Sequence, residues 1–198
     1  MAATRHAQII KNDTKEYITT AMLQMLSKEK LSMLTVSQVC KRAGVSRMAF
    51  YRNFEGLEQI LYEYYQPKIA AVFDIIRQSS QVSAKFESQL KFFNAFGDDL
   101  LSSADRGFEP IIQRIFIEEI KKFYAADSDG YWTAFMSAGV YAIWRKWLLD
   151  GQEKPLKEIM DFLKQFDTIK GTAERVPKVR NNLNGNPSYA KNRGTITC

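Results

Sequence analysis

The sequence predicts an all-α protein, and three observations carry that expectation. Apolar residues recur at helical spacing along most of the chain. Clusters of Gly, Asp, Ser and Pro punctuate these runs at intervals that suit helix ends. No stretch alternates apolar and polar residues as a half-buried strand does. At 198 residues the chain has room for one or two small domains with a sizeable core. The expected architecture is a three-helix head, a kinked connecting helix and a bundle of about five helices.

Residues 1–12 read as a polar arm carrying Arg5, His6 and Lys11. A first helix is expected over 14–27, where Tyr17, Ile18, Ala21, Met22, Met25 and Leu26 keep helical spacing and would pack beneath the elements that follow. The stretch Leu34–Phe54 then reads as two short helices around a tight turn. Thr35, with Gln38 three residues on, is a capping-box pair. Val36, Val39 and Ala43 mark the apolar side of this helix, with Cys40 beside them. Gly44 supplies the left-handed residue that ends it at least cost. Ser46 caps the next helix, on which Phe50 and Phe54 share a face. Two helices so closely joined, the second carrying small, polar and basic groups, form a helix-turn-helix.

A long helix is expected from Leu57 to about Ser79, with Ile60, Leu61, Tyr65, Ile69, Val72, Phe73 and Ile76 among its apolar positions. Pro67 removes one hydrogen bond and crowds the preceding turn, so a kink or break is expected there, and it is a candidate hinge. After a loop at 78–83, a helix over 84–102 would bury Phe86, Leu90, Phe93, Phe96 and Leu100. Another over 108–124 tolerates Pro110 in its first turn and carries Ile111, Ile112, Ile115, Phe116, Ile120 and Phe123. The helix over 131–149 is apolar around most of its circumference, and Ala138, Gly139 and Ala142 leave room for close helix approach. A final helix is expected over 155–166. From Thr168 the periodicity stops, and a basic, flexible tail is expected. The domain division is therefore 1–56, 57–167 and 168–198.

The net charge of +6 is unevenly spread. Residues 1–54 carry nine Lys/Arg against three Asp/Glu, 55–167 carry 13 against 18, and 168–198 carry six against one. A basic head on an acidic body is the footprint of a nucleic-acid-binding module, and the charge gains weight because it coincides with the motif. The two cysteines, Cys40 and Cys198, form neither a disulfide framework nor a metal-ligand spacing. The single histidine, His6, reads as a solvated arm residue. No phosphate loop, dinucleotide fingerprint, nucleophile motif or metal spacing is present, so no enzyme, cofactor or metal is expected. With no segment of bilayer-spanning length and no apolar leader, a cytoplasmic protein is expected.

Thr35, Val39, Ala43, Gly44, Val45, Ser46, Phe50, Tyr51, Phe54 and Leu61 together resemble the tetracycline-repressor (TetR) family of bacterial regulators, over roughly the first third of the chain. The run from Ala138 to Ile159 faintly resembles regulators of dihydroxyacetone-kinase operons, some of which are activators without a conventional effector. The TetR resemblance implies a homodimer on double-stranded DNA at a palindromic operator, acting as a repressor that a small-molecule effector releases. A transcriptional activator, or a co-regulator that binds protein without an effector, is the alternative.

The second motif helix would lie in the major groove. Arg47 suits bidentate readout of guanine, while Met48 and Ala49 suit apolar contact with a thymine methyl. Ser46, Tyr51 and Asn53 suit phosphates, and the resemblance places Tyr51 and Asn53 where the family grips the backbone. Thr35 and Ser37 start a helix whose dipole favours phosphate, and Lys41, Arg42 and Arg52 add cationic charge. Lys15 is a further candidate for the backbone. Many relatives place a lysine at the position of Leu57, so one phosphate contact is missing here. The resemblance also implies an effector pocket, for which Phe93, Phe96, Phe116, Phe135, Tyr141 and Trp144 are the candidate lining. It implies dimerisation through the last two helices, with Val140, Trp147, Leu156, Ile159, Met160 and Leu163 as candidate contacts.

Overall fold

The computed structural model describes residues 2–123 and 130–173, with side chains over 13–122 and 130–166. Eight α-helices occur in the described chain: α1 Ala2–Leu26, α2 Val36–Ala43, α3 Arg47–Tyr51, α4 Leu57–Gln78, α5 Val82–Arg106, α6 Glu109–Phe123, α7 Tyr131–Leu149 and α8 Leu156–Ala173. A single 3-10 turn, Leu31–Met33, leads from α1 into α2. The described residues contain no strand, as the sequence predicts. None of the described helices is long and apolar enough to cross a membrane.

The chain forms two compact units, Met1–Met160 and Asp161–Cys198. In the first, α1 packs against α2, α3 and α4, while α4 runs on to pack against α5 and α6, and α7 closes on α5 and α6. The head core is Ile18, Met22, Leu26, Val39, Phe50 and Phe54, all buried. The bundle core is built around an aromatic cluster. Trp144 of α7 meets Phe73 of α4, Phe93 of α5 and Phe116 of α6, with ring centroids 5.7, 5.0 and 5.2 Å apart. In the second unit, Phe162 and Phe166 meet edge-to-face on consecutive turns of α8.

Several elements depart from the sequence expectations. Helix α1 runs back to Ala2, so the expected polar arm is helical backbone. Tyr17 is exposed, and the buried stripe of this helix narrows to Ile18, Ala21, Met22 and Leu26. The break expected at Pro67 does not occur, because α4 is continuous across it. Tyr65 and Ile69 are buried on either side, and such packing offsets the ~3 kcal/mol that an interior proline costs. Helix α5 is longer than expected at both ends. It presents Gln89, Phe92, Phe93, Gly97, Leu100 and Ser103 inward, while Leu90 is exposed. Helix α8 continues to Ala173, past the composition change at Thr168, and the rest of the expected tail lies outside the described residues.

Gly97 explains the inward face of α5. A Cβ built there would stand 3.2 Å from the Leu148 side chain of α7. The two helices approach closely because that position carries no side chain. Replacing Gly97 with Val should therefore destabilise the protein by about 1–3 kcal/mol through overpacking. Urea unfolding followed by far-UV circular dichroism will show a lower midpoint with native helix content retained.

Candidate functional site

The helix-turn-helix is built by local chemistry. Thr35 is extended, and its Oγ1 accepts the Gln38 backbone N–H at 3.3 Å while Gln38 Oε1 accepts the Thr35 N–H at 2.8 Å. The capping box read from the sequence is thus closed at both ends. Gly44 sits at φ 68° and ψ 26°, the left-handed region. The N–H of Val45 reaches back to the Cys40 carbonyl at 3.0 Å and that of Gly44 to the Lys41 carbonyl at 3.4 Å, which satisfies the orphan carbonyls of α2. Ser46 Oγ accepts the Ala49 N–H at 3.1 Å and so starts α3. Phe50 plugs the helix pair into the head core, fully buried, with its ring 6.0 Å from that of Phe54.

These caps set one exposed surface. Thr35, Ser37, Lys41, Ser46, Arg47, Met48, Tyr51 and Arg52 are all exposed, and Ala49 and Asn53 are half-buried. Met48 and Tyr51 stand out at 68% and 53% exposure, unusual for apolar side chains flanked by a core residue such as Phe50. Burial raises the Cys40 thiol above its ordinary value, against the opposing pull of the Arg47 guanidinium, so this cysteine belongs to the packing of α2.

Three cation or amide groups are already engaged. Arg42 directs Nε and Nη2 at Gln24 Oε1, at 3.0 and 2.8 Å, which ties α2 to α1. Lys15 lies 2.6 Å from Glu63 of α4 and 5.0 Å from the centre of the Phe54 ring. Asn53 donates its amide to the Ala49 carbonyl at 2.7 Å. In contrast, Lys41, Arg47 and Arg52 have no side-chain hydrogen bond or ion pair with the described residues. At the start of α4, Gly56 is extended and gives no side-chain cap, and Gln59 Oε1 accepts the Glu55 N–H at 2.5 Å.

The six aromatic residues offered as a pocket lining do not converge on one cavity. Phe93, Phe116 and Trp144 are buried against one another, and Phe96 is half-buried beside Tyr65. Phe135 is 52% exposed, beside Trp132. A void of about 10 Å³ between Phe116, Tyr141 and Trp144 is on the scale of one water molecule. The large cavity is an open groove of about 920 Å³ between α6 and α7. Tyr141 is the one member of the six among its lining residues. The groove runs past Gln113, Ile117 and Lys121 of α6 and Ala134, Ala138 and Ala142 of α7. At its floor the Tyr141 hydroxyl donates to Glu109 Oε1 at 2.8 Å, and Arg145 Nε lies 3.2 Å from the same oxygen. Burial, then the Glu109 carboxylate, hold the Tyr141 phenol well above its ordinary pKa. Sequence reading missed this groove, although Ala134, Ala138 and Ala142 repeat every fourth residue.

The candidate dimer residues also divide. Val140 and Trp147 are buried in their own protomer at 6% and 4% exposure, and Trp147 Nε1–H donates to the Lys154 carbonyl at 2.7 Å. Leu156 is buried, whereas Ile159, Met160 and Leu163 are half-buried. No group of three or more His, Cys, Asp and Glu among the described residues is placed to hold a metal.

Neither a protein-family model nor a curated protein matches the sequence. Among solved structures, the chain is similar to a TetR transcriptional regulator from Streptococcus agalactiae 2603V. The match has a TM-score of 0.59 at 20% identity and covers 84% of this chain and 98% of that one. The chain has the TetR-regulator fold. The match extends far beyond the first third that the motif residues cover, taking in most of the TetR-like helical bundle. It lends no support to the fainter resemblance of Ala138–Ile159 to dihydroxyacetone-kinase operon regulators.

Removing the caps should weaken the head measurably. Ser46→Ala should cost about 1 kcal/mol by leaving the Ala49 N–H without its acceptor. Gly44→Ala should cost about 1–2 kcal/mol, because a Cβ is strained in the left-handed region even with open space around it. Chemical denaturation of each variant will report these losses, and an unchanged midpoint in both would contradict the capping account.

Proposed function

We propose that this protein is a dimeric DNA-binding transcriptional regulator of the cytoplasm, a repressor released by a small-molecule effector. One observation carries the reading: a fully capped helix-turn-helix presents Lys41, Arg47, Met48, Tyr51 and Arg52 outward on a chain with the TetR fold. In this reading α3 enters the major groove, and Arg47, at its first turn, forks onto guanine O6 and N7. Met48 and Ala49 meet a thymine methyl, while Thr35, Ser37, Ser46, Tyr51, Arg52 and Lys41 hold phosphates. Arg42 and Lys15 serve a different purpose, since their partners Gln24 and Glu63 fasten the head together. Asn53 does likewise through the Ala49 carbonyl. The uncapped start of α4 at Gly56 offers backbone amides to a phosphate where the cation absent at Leu57 would otherwise act.

The dimer is assigned to the outer side of α7. With Val140 and Trp147 turned into the protomer, Gly139 and Ile143 lie half-buried one turn apart on another side of α7. Gly139 lies inside a helix, where glycine costs roughly 1 kcal/mol relative to alanine. A Cβ there would meet nothing within 4 Å among the described residues. Packing among the described residues therefore gives no reason for the glycine, and close approach of a second helix does. A two-fold dimer then sets two recognition helices against a palindromic operator. An effector shifts this equilibrium by binding better to the arrangement that does not match the operator.

Gel shifts on DNA upstream of the gene, repeated across a salt series, test the function directly. Specific binding that falls steeply with salt supports it, and none across all upstream palindromes would sink it. Arg47→Ala should cost about 1–3 kcal/mol on specific DNA and much less on unrelated DNA. Equal loss on both would remove Arg47 from base readout. Gly139→Leu should convert the dimer to a helical monomer in sedimentation velocity, and an unchanged dimer would move the interface off this side of α7.

A further inference from the structure

We propose that the groove between α6 and α7 binds a small organic acid. Its carboxylate is taken by Arg145 in competition with Glu109, and its apolar body lies along Ala134, Ala138 and Ala142. The inference deepens the reading of the chain as an effector-controlled regulator and rests on it for biological meaning, though not for the binding itself.

Four observations converge on this site. First, the interior of the bundle is filled. Trp144 closes on Phe73, Phe93 and Phe116, and the adjacent void of about 10 Å³ has no room for an organic molecule. The groove of about 920 Å³ does, lying within the size range of ligand sites, roughly 300–1,000 Å³. Second, its charge favours an anion. Among the described residues of its lining, the charged groups are Glu109, Lys121 and Arg145, two cations against one carboxylate. Lys121 is exposed and has no ion pair with the described residues, unlike its neighbour Lys122, which lies 2.6 Å from Glu119.

Third, Arg145 holds a donor in reserve. Its Nε lies 3.2 Å from Glu109 Oε1, close enough for charge attraction, yet this buried N–H is not aligned as a hydrogen bond and has no other acceptor. A buried donor left unspent is costly, and a guanidinium turned from Glu109 toward the groove would spend it on a carboxylate oxygen. Glu109 can release the guanidinium without being stranded, because the Tyr141 hydroxyl still donates to it at 2.8 Å. Fourth, the wall opposite α6 is smooth. Ala134, Ala138 and Ala142 are exposed methyl groups one turn apart, and Ile117 across the groove is 39% exposed. An acid with a short hydrocarbon or aryl body would cover both surfaces.

Hexanoate and its neutral amide, hexanamide, are suitable probes for the full chain. In nitrogen-15 NMR spectra, hexanoate should shift the Arg145 Nε–H and Tyr141 resonances saturably, and hexanamide should not. Lys121→Gln, a surface change that leaves the fold intact, should weaken hexanoate about threefold, and Arg145→Gln at least about tenfold. Glu109→Gln should tighten it about tenfold by removing the competing carboxylate. Equal response to the acid and the amide would overturn the proposal in favour of an apolar groove. Groove resonances that move with protein concentration alone would overturn it in favour of a second copy of the chain. Absence of any saturable shift would overturn it outright. Gel shifts on the same samples keep the two readings apart. DNA binding without hexanoate binding defeats the acid site alone, and hexanoate binding by a protein that ignores DNA defeats the regulator and leaves the site standing.

Discussion

The packing of α4, α5, α6 and α7 centres on Trp144. Its indole touches one aromatic ring on each of α4, α5 and α6, so a single side chain of α7 gathers four helices. Phe73 and Phe116 also meet each other edge-to-face, which closes the cluster. Edge-to-face pairs favour particular ring orientations, so the cluster fixes the angles between helices as well as their separation. The close pass of α5 over α7 at Gly97 and Leu148 follows from the same arrangement. The exposed surface of α3 and the α6–α7 groove both lie outside this ring cluster.

How much of this was legible depended on the distance over which each constraint acts. Thr35, Gln38, Gly44 and Ser46 bond within a few residues of themselves, so the helix-turn-helix could be read without its surroundings. The facing of the longer helices could not. Leu90 and Phe135 fit an apolar stripe by spacing, yet both are exposed, because the inward faces of α5 and α7 are chosen by where the neighbouring helices stand. Gln89 and Ser103 look like surface residues and are fully buried, satisfied in part by the carbonyls of Lys85 and Leu100. Pro67 reads as a kink or break on local rules, and α4 runs on through it with Tyr65 and Ile69 buried on either side. The pairings Lys15–Glu63 and Glu109–Arg145 join residues far apart in the chain, and no spacing rule anticipates them.

The corner between α5 and α6 joins several parts of the fold. Arg106 Nη2 donates to the Ser27 carbonyl just past the end of α1, at 2.7 Å. Phe108 stacks on Tyr65 of α4, with ring centroids 5.7 Å apart and planes 11° from parallel. The Tyr65 hydroxyl in turn donates to Asp99 of α5 at 2.8 Å. Glu109 then forms the floor of the groove with Tyr141 and Arg145. Within one short segment the chain touches the head, the connecting helix and the groove, so these three parts meet at one joint.

That joint bears on how freely the head could be moved to another protein. A cut at residue 56 looks natural because the motif ends there, and a designer building hybrid regulators would choose it. Such a graft would strip Lys15 of Glu63 and deprive the Ser27 carbonyl of Arg106. The compact unit itself runs unbroken from Met1 to Met160. A transplanted head would need a host helix offering a carboxylate to Lys15, and a host corner offering a donor to Ser27. The head is therefore a part fitted to this frame, with interchange limited by Glu63 and Arg106, two side chains that lie outside it.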